Sequence, residues 1–211
     1  MQTQSEVHRL NHKRERIANT LRLVGWVSLW LQLALGAACV LMVLFAVSGR
    51  NFSQIVTRTP NTPSAGLVNS TPTPTPGSGL GIFWAFCGIL ALLFSIYLFF
   101  RVTRFARRLH NPNPALHPKK TEVIKLLKIV VVASLVGMLL TILGGGSSVG
   151  VLLEKSIAQP QGVAIYDPNR IIRSLDIFVA MANMTGITAH FIGTVASLGL
   201  VNWLHVLEAK A

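Results

Sequence analysis

Four stretches of this chain are apolar for twenty residues or more without a single Asp, Glu, Lys or Arg, and they constrain its fold more than anything else in it. They cover residues 23–47, 80–100, 129–153 and 177–207, the third being interrupted only by the small-residue patch Gly144-Gly145-Gly146-Ser147-Ser148. About 20 residues of helix reach across a hydrocarbon core of about 30 Å. A water-soluble fold would have to bury all four stretches. With 12% charged residues, against about 25% in an average soluble domain, the chain has little polar surface for that task. Outer-membrane strands alternate apolar and polar residues, and these stretches do not alternate. The sequence therefore predicts an all-α, polytopic membrane protein with four transmembrane helices.

The first stretch is 25 residues long and follows a polar arm of 22. A signal-peptide core is about 7–15 residues long, so the first stretch reads as a retained anchor. The chain then divides into an amphipathic arm, 1–22, and a four-helix membrane domain, 23–207. A Thr/Pro-rich outer loop, 48–79, and a basic loop, 101–128, fall within the membrane domain. In the arm, Val7, Leu10, Ile17 and Leu21 recur at helical spacing among basic residues, which predicts a helix lying along the membrane surface.

Of the 19 Lys and Arg residues, fourteen fall in the arm, the middle loop and the tail, and five in the other two connections. Basic loops stay on the cytoplasmic side, so both termini and the middle loop are expected there. The formal net charge of +12 is accounted for by this topology and by attraction to anionic lipid, and no nucleic-acid partner is expected. Trp26, Trp30, Trp84, Tyr97 and Trp203 sit near span ends, as interfacial anchors do.

Candidate chemistry is sparse. Cys39 and Cys87 lie in different spans, and no phosphate-binding loop, dinucleotide fingerprint, zinc-protease motif or nucleophile elbow occurs. His110 and His117 have no cysteine or carboxylate beside them and read as loop residues. Neither an enzyme nor a cofactor is expected. On the outer side, Asp167-Pro168 has the pattern of a helix start, with an N-cap followed by proline.

The informative feature is the fourth span. Asn183, Gly186, His190, Gly193, Thr194 and Ser197 recur at spacings of three, four and seven, which places them on one face of a helix. The first span carries a matching stripe, Gly25, Ser28, Gln32, Gly36 and Cys39. Small residues let helices approach closely, so Gly36, Gly186 and Gly193 are read as packing positions and the two stripes as a buried polar seam. His190 is the one ionisable group deep in any span. It reads either as a transport-path residue or metal ligand, or as a neutral histidine bonded to Asn183, Gln32 or a backbone carbonyl.

The stretch Asp176-Ile177-Phe178-Val179-Ala180-Met181-Ala182-Asn183, followed by His190-Phe191-Ile192-Gly193, resembles the last helix of a family shared by cyanobacteria and chloroplasts. Its plant members are described both as an inner-envelope protein translocon component and as an iron permease. Four helices and a basic middle loop fit that family too, and Asp176, Asn183, His190 and Gly193 are the matching positions. The resemblance implies a place in the plasma or thylakoid membrane of a cyanobacterium-like cell. It implies one of two roles. In the first, a permease carries iron or another divalent cation past Asn183, His190, Thr194, Ser197 and Gln32, with Asp176 collecting cations at the outer mouth. One deep imidazole per chain is a poor site, so this role predicts a homo-oligomer that gathers several His190 side chains, or a membrane-protein partner. In the second, the chain is a structural or assembly subunit of a membrane complex, including one for protein translocation.

Overall fold

All ten prolines lie in the connections. A helix interior cannot accommodate proline without losing a backbone bond, and in hydrocarbon every backbone N–H and C=O must be satisfied internally. The apolar stretches meet both conditions as uninterrupted helices. A computed structural model describes residues 2–57, 78–109, 120–158 and 174–209. They form α1 (Gln2–Thr57), α2 (Ser78–Leu109), α3 (Lys120–Ile157) and α4 (Ser174–Ala209), with no strand among the described residues. Each of the four is long and apolar enough to cross a membrane, so the chain is a multi-pass membrane protein.

The helices run alternately up and down. Gln32 and Cys39 of α1 bond to Ala189 and Ala182 of α4, so seven residues forward on one helix are seven back on the other. Asn183 and His190 of α4 bond to Gly81 and Gly88 of α2, advancing together. In cross-section α1 and α3 each lie between α2 and α4, and α2 and α4 also touch across the diagonal.

Large apolar side chains face outward over the whole length, among them Leu23, Phe45, Phe83, Leu93, Val132, Leu139 and Phe191. A soluble monomer rarely exposes an apolar surface on that scale; lipid is its natural covering. Inside, the end where α1 begins is filled by a cluster of Leu21, Phe99, Val102, Leu127, Val130 and Leu204. A smaller cluster of Cys39, Val43, Ala85 and Ala182 lies further along.

The elements differ from the sequence reading at their ends. The arm is not a separate surface helix: α1 continues from it into the first span without a break. At the arm's inner end Ala18 and Leu21 are buried in the bundle, Leu21 within the same apolar cluster as Val102 and Ala106 of α2. The basic loop is shortened from both sides, by α2 running to Leu109 and α3 starting at Lys120. Lys155 belongs to α3 rather than to a loop, and Gly144-Gly145-Gly146 leave that helix unbroken. The helix start at Asp167-Pro168, the Thr-Pro run, His110 and His117 lie outside the described residues.

Candidate functional site

The two stripes read from the sequence both face inward. On α4, Asn183, His190 and Ser197 are fully buried, and Gly186, Gly193 and Thr194 are buried with them. On α1, Gly25, Ser28, Gln32, Gly36 and Cys39 are buried as well. Within the spans the bundle thus buries polar side chains while large apolar ones face outward, which a lipid-facing exterior allows and a water-facing one would not.

Three polar layers follow one another along the bundle. In the first, the Gln32 carboxamide donates from Nε2 to Ser95 Oγ at 3.3 Å and to the Ala189 carbonyl at 3.3 Å. Ser95 Oγ lies 3.4 Å from Gln32 Oε1 and 3.2 Å from Ser134 Oγ. One residue from each of the four helices therefore meets here. Gly193 makes the room, since a Cβ in its place would run into the Gln32 amide and the Ser134 hydroxyl.

The second layer is built around His190. Its ring lies against Gly137, where an added Cβ would overlap it, and Nε2 donates to the Gly88 carbonyl at 3.3 Å. A carbonyl only accepts, so Nε2 carries a proton, and in the neutral form of the ring Nδ1 keeps its lone pair. That Nδ1 has no hydrogen-bond partner. Thr141 turns its hydroxyl back to Gly137 and Met138 of its own helix at 3.0 and 2.9 Å, and places its methyl against Gly88 and Gly186.

In the third layer Asn183 donates from Nδ2 to the Gly81 and Val179 carbonyls at 3.3 and 3.0 Å, while its Oδ1 is buried without a partner. Beyond it, at the end of α3, Lys155 is ion-paired with Asp176, with 7% and 13% of the two side chains exposed. The carboxylate read as a cation collector is thus joined to an ammonium. Thr194 and Ser197, on the other side of His190, donate to the His190 and Gly193 carbonyls at 3.0 and 2.8 Å. Such bonds to the preceding turn satisfy the hydroxyls within α4 itself.

The sequence reading left the partner of His190 open. It is a backbone carbonyl of α2, neither Asn183 nor Gln32. A gathering of several His190 side chains by oligomerisation meets a geometric obstacle, because each ring is enclosed by its own chain. Among the described residues no three His, Cys, Asp or Glu side chains converge as a metal site.

The sequence reading missed Ser95 and Ser134. The signal was present: Gly81, Gly88 and Ser95 recur at seven, and Ser134, Gly137, Thr141, Gly144 and Ser148 recur at three and four. Both are the same kind of small, polar stripe as those on α1 and α4, and all eight positions are buried.

With this geometry in view, comparison with known proteins is informative. Residues 11–205 match the family described as "Protein of unknown function (DUF3611)". The chain belongs to that family. Like it in sequence is "Protein TIC 21, chloroplastic" from Arabidopsis thaliana, 25% identical over 205 residues. The alignment takes in 93% of this chain and 60% of the plant protein, so this DUF3611 chain spans about three-fifths of the length of the curated relative it matches. No solved structure matches it.

Proposed function

We propose that this DUF3611 protein is a permease for a metal ion, with ferrous iron as the first cargo to test, and that the inner face of α4 forms its route. The observation that carries this reading is the pair of buried acceptors without partners, His190 Nδ1 and Asn183 Oδ1. They stand seven residues apart on one helix face, about 10 Å along the axis. Leaving an acceptor unmade in a dry interior costs about 1–3 kcal/mol, and a passing cation or its water would relieve that cost. Imidazole and amide oxygen are ligands that divalent iron accepts. In the closed form the route is blocked by the Lys155–Asp176 pair at one end and by the Leu21–Phe99–Leu127 cluster at the other. Transport therefore requires the helices to part. Further ligands would have to come from a partner protein or a second copy once α4 is uncovered.

We place both termini in the cytoplasm, on the strength of the basic residues at that end, and the protein in the plasma or thylakoid membrane of a cyanobacterium-like cell. No catalytic role is assigned. The test is ferrous-ion flux into proteoliposomes. Wild-type protein is expected to carry iron above empty vesicles, and His190→Ala, folded normally, to lose at least about nine-tenths of that flux, about 1.4 kcal/mol of barrier. Undiminished flux in the variant would remove His190 from the route.

A second reading is a subunit that assembles or supports a membrane complex, as the translocon resemblance and the plant relative suggest. What favours it is the Gln32 layer, where polar groups from four helices are used up on one another and serve as glue. Here folded wild-type protein shows no flux and co-purifies with other membrane proteins in mild detergent.

A further inference from the structure

The polar route leaves unused a feature on the outside of the bundle, at the end where α1 begins. Two adjoining clefts open there. One, roughly 580 Å³, is lined by Asn19, Thr20, Arg22, Leu23 and Trp26. The other, roughly 220 Å³, lies between α1 and α2 and adds Ala106 and Arg107. They share Asn19 and Arg22, so they lie side by side as one depressed area of the surface, with a guanidinium from each helix lining it. No acidic side chain is among its described lining residues; Glu15, exposed on α1, lies a turn beyond Asn19 toward the start of the helix.

The face of α1 that lines the depression runs on past it to Trp30 and changes its chemistry along the helix. Asn19, Arg22, Leu23, Trp26 and Trp30 follow one another at spacings that keep them on one face, over about 16 Å of helix. The face starts polar and cationic where the apolar span begins and turns aromatic within it, the Trp26 and Trp30 rings stacking at 6.1 Å between centroids. Guanidinium groups bind phosphate oxygens through paired, directional bonds. Basic pockets between membrane helices suit lipid headgroups, and tryptophan favours headgroup depth. A free phosphate would use only the arginines and leave the aromatic wall idle.

We propose that this depression is a binding site for one anionic phospholipid. Arg22 and Arg107 hold the phosphodiester, Asn19 and Thr20 offer hydrogen bonds to the headgroup, and the Trp26–Trp30 face carries an acyl chain. The neighbouring Arg104 is engaged elsewhere, with its guanidinium 5.6 Å from the centre of its own helix's Phe100 ring.

The experiment is native mass spectrometry of the full chain in mild detergent. The ligands offered are phosphatidylglycerol, phosphatidylcholine with the same acyl chains, or inorganic phosphate. Wild type is expected to retain one phosphatidylglycerol in preference to phosphatidylcholine, and millimolar phosphate is expected not to release it. The double variant Arg22→Gln, Arg107→Gln should lose roughly tenfold or more in retention. Arg104→Gln with Arg108→Gln, which removes the same charge outside the depression, should keep it. Either single substitution at the exposed Arg22 or Arg107 should give an intermediate loss, and serves as the measurement if the double variant unfolds. Equal loss in the control pair, equal retention of phosphatidylcholine, or release by inorganic phosphate would each overturn the site.

Discussion

The two halves of the bundle are held together by different means. Where α1 begins, the core is made of bulky apolar side chains, Leu21, Phe99, Val102, Leu127 and Leu204. Past Gln32 a smaller apolar cluster, Cys39, Val43, Ala85 and Ala182, is interleaved with buried glycines, hydroxyls and amides, and Gly88, Gly137, Gly144 and Gly193 are each pressed against a side chain of a neighbouring helix. The difference follows the solvent. Leu21 and Ala106 adjoin Arg22 and Arg107 in the sequence; arginines favour headgroups and water, and where water is present burying apolar surface is favourable. Deeper in the membrane, lipid tails are as apolar as leucine, so helices gain from close contact and hydrogen bonds instead. Each half uses the attraction that its surroundings leave available.

Breaking the apolar half should cost most. Phe99→Ala empties a fully buried site, and its loss in thermal or denaturant unfolding in detergent is expected to approach the about 3–5 kcal/mol typical of such truncations. A cost below about 1 kcal/mol would mean that this end, too, sits in hydrocarbon and gains nothing from apolar burial.

The glycine half is probed within a single triplet. A Cβ on Gly144 would strike Asn183 and Trp84, whereas one on Gly146 meets nothing within 4 Å. Gly144→Ala is expected to cost about 1–3 kcal/mol through overpacking. Gly146→Ala should be neutral or slightly stabilising, because alanine is the better helix former. Equal melting temperatures for the two would show that the close contact of α3 with α4 is not rigid.

The smallest effect is expected at Gln32→Met, which keeps the volume and removes the bonds to Ser95 and Ala189. Hydrogen bonds between membrane helices average about 0.6 kcal/mol and reach about 1.7, so unfolding should shift by that much. A loss as large as that of Phe99→Ala would abolish the contrast between the halves and make the Gln32 layer the main clasp of the fold.

Much of this was legible in the residues alone. The lengths of the apolar runs predicted four membrane helices, and the spacing of Asn183, Gly186, His190, Gly193 and Ser197 predicted the face of α4 that is buried. Gln32 and its stripe on α1 were legible for the same reason. Helix periodicity is local, so it needs no knowledge of the neighbours. Ser95 and Ser134 carried the same signal in a weaker form, in stripes of glycines and hydroxyls with no amide or imidazole, and their meeting with Gln32 was not legible. The continuity of the arm with α1 was missed because an apolar stripe among basic residues suits a lipid surface and a bundle end equally well.

By itself, then, the sequence determined the number of spans, their apolar character and the inward faces of α1 and α4, since length and a 3.6-residue period are properties of one segment at a time. Tertiary structure alone decided that His190 bonds to the Gly88 carbonyl and leaves Nδ1 without a partner. It also decided that Asp176 pairs with Lys155 and that Gly144, not Gly146, receives Asn183. Each of these depends on which residues of two helices arrive at the same depth. That depth is set by how the helices slide and rotate to fit their small residues together, and no single segment contains the information.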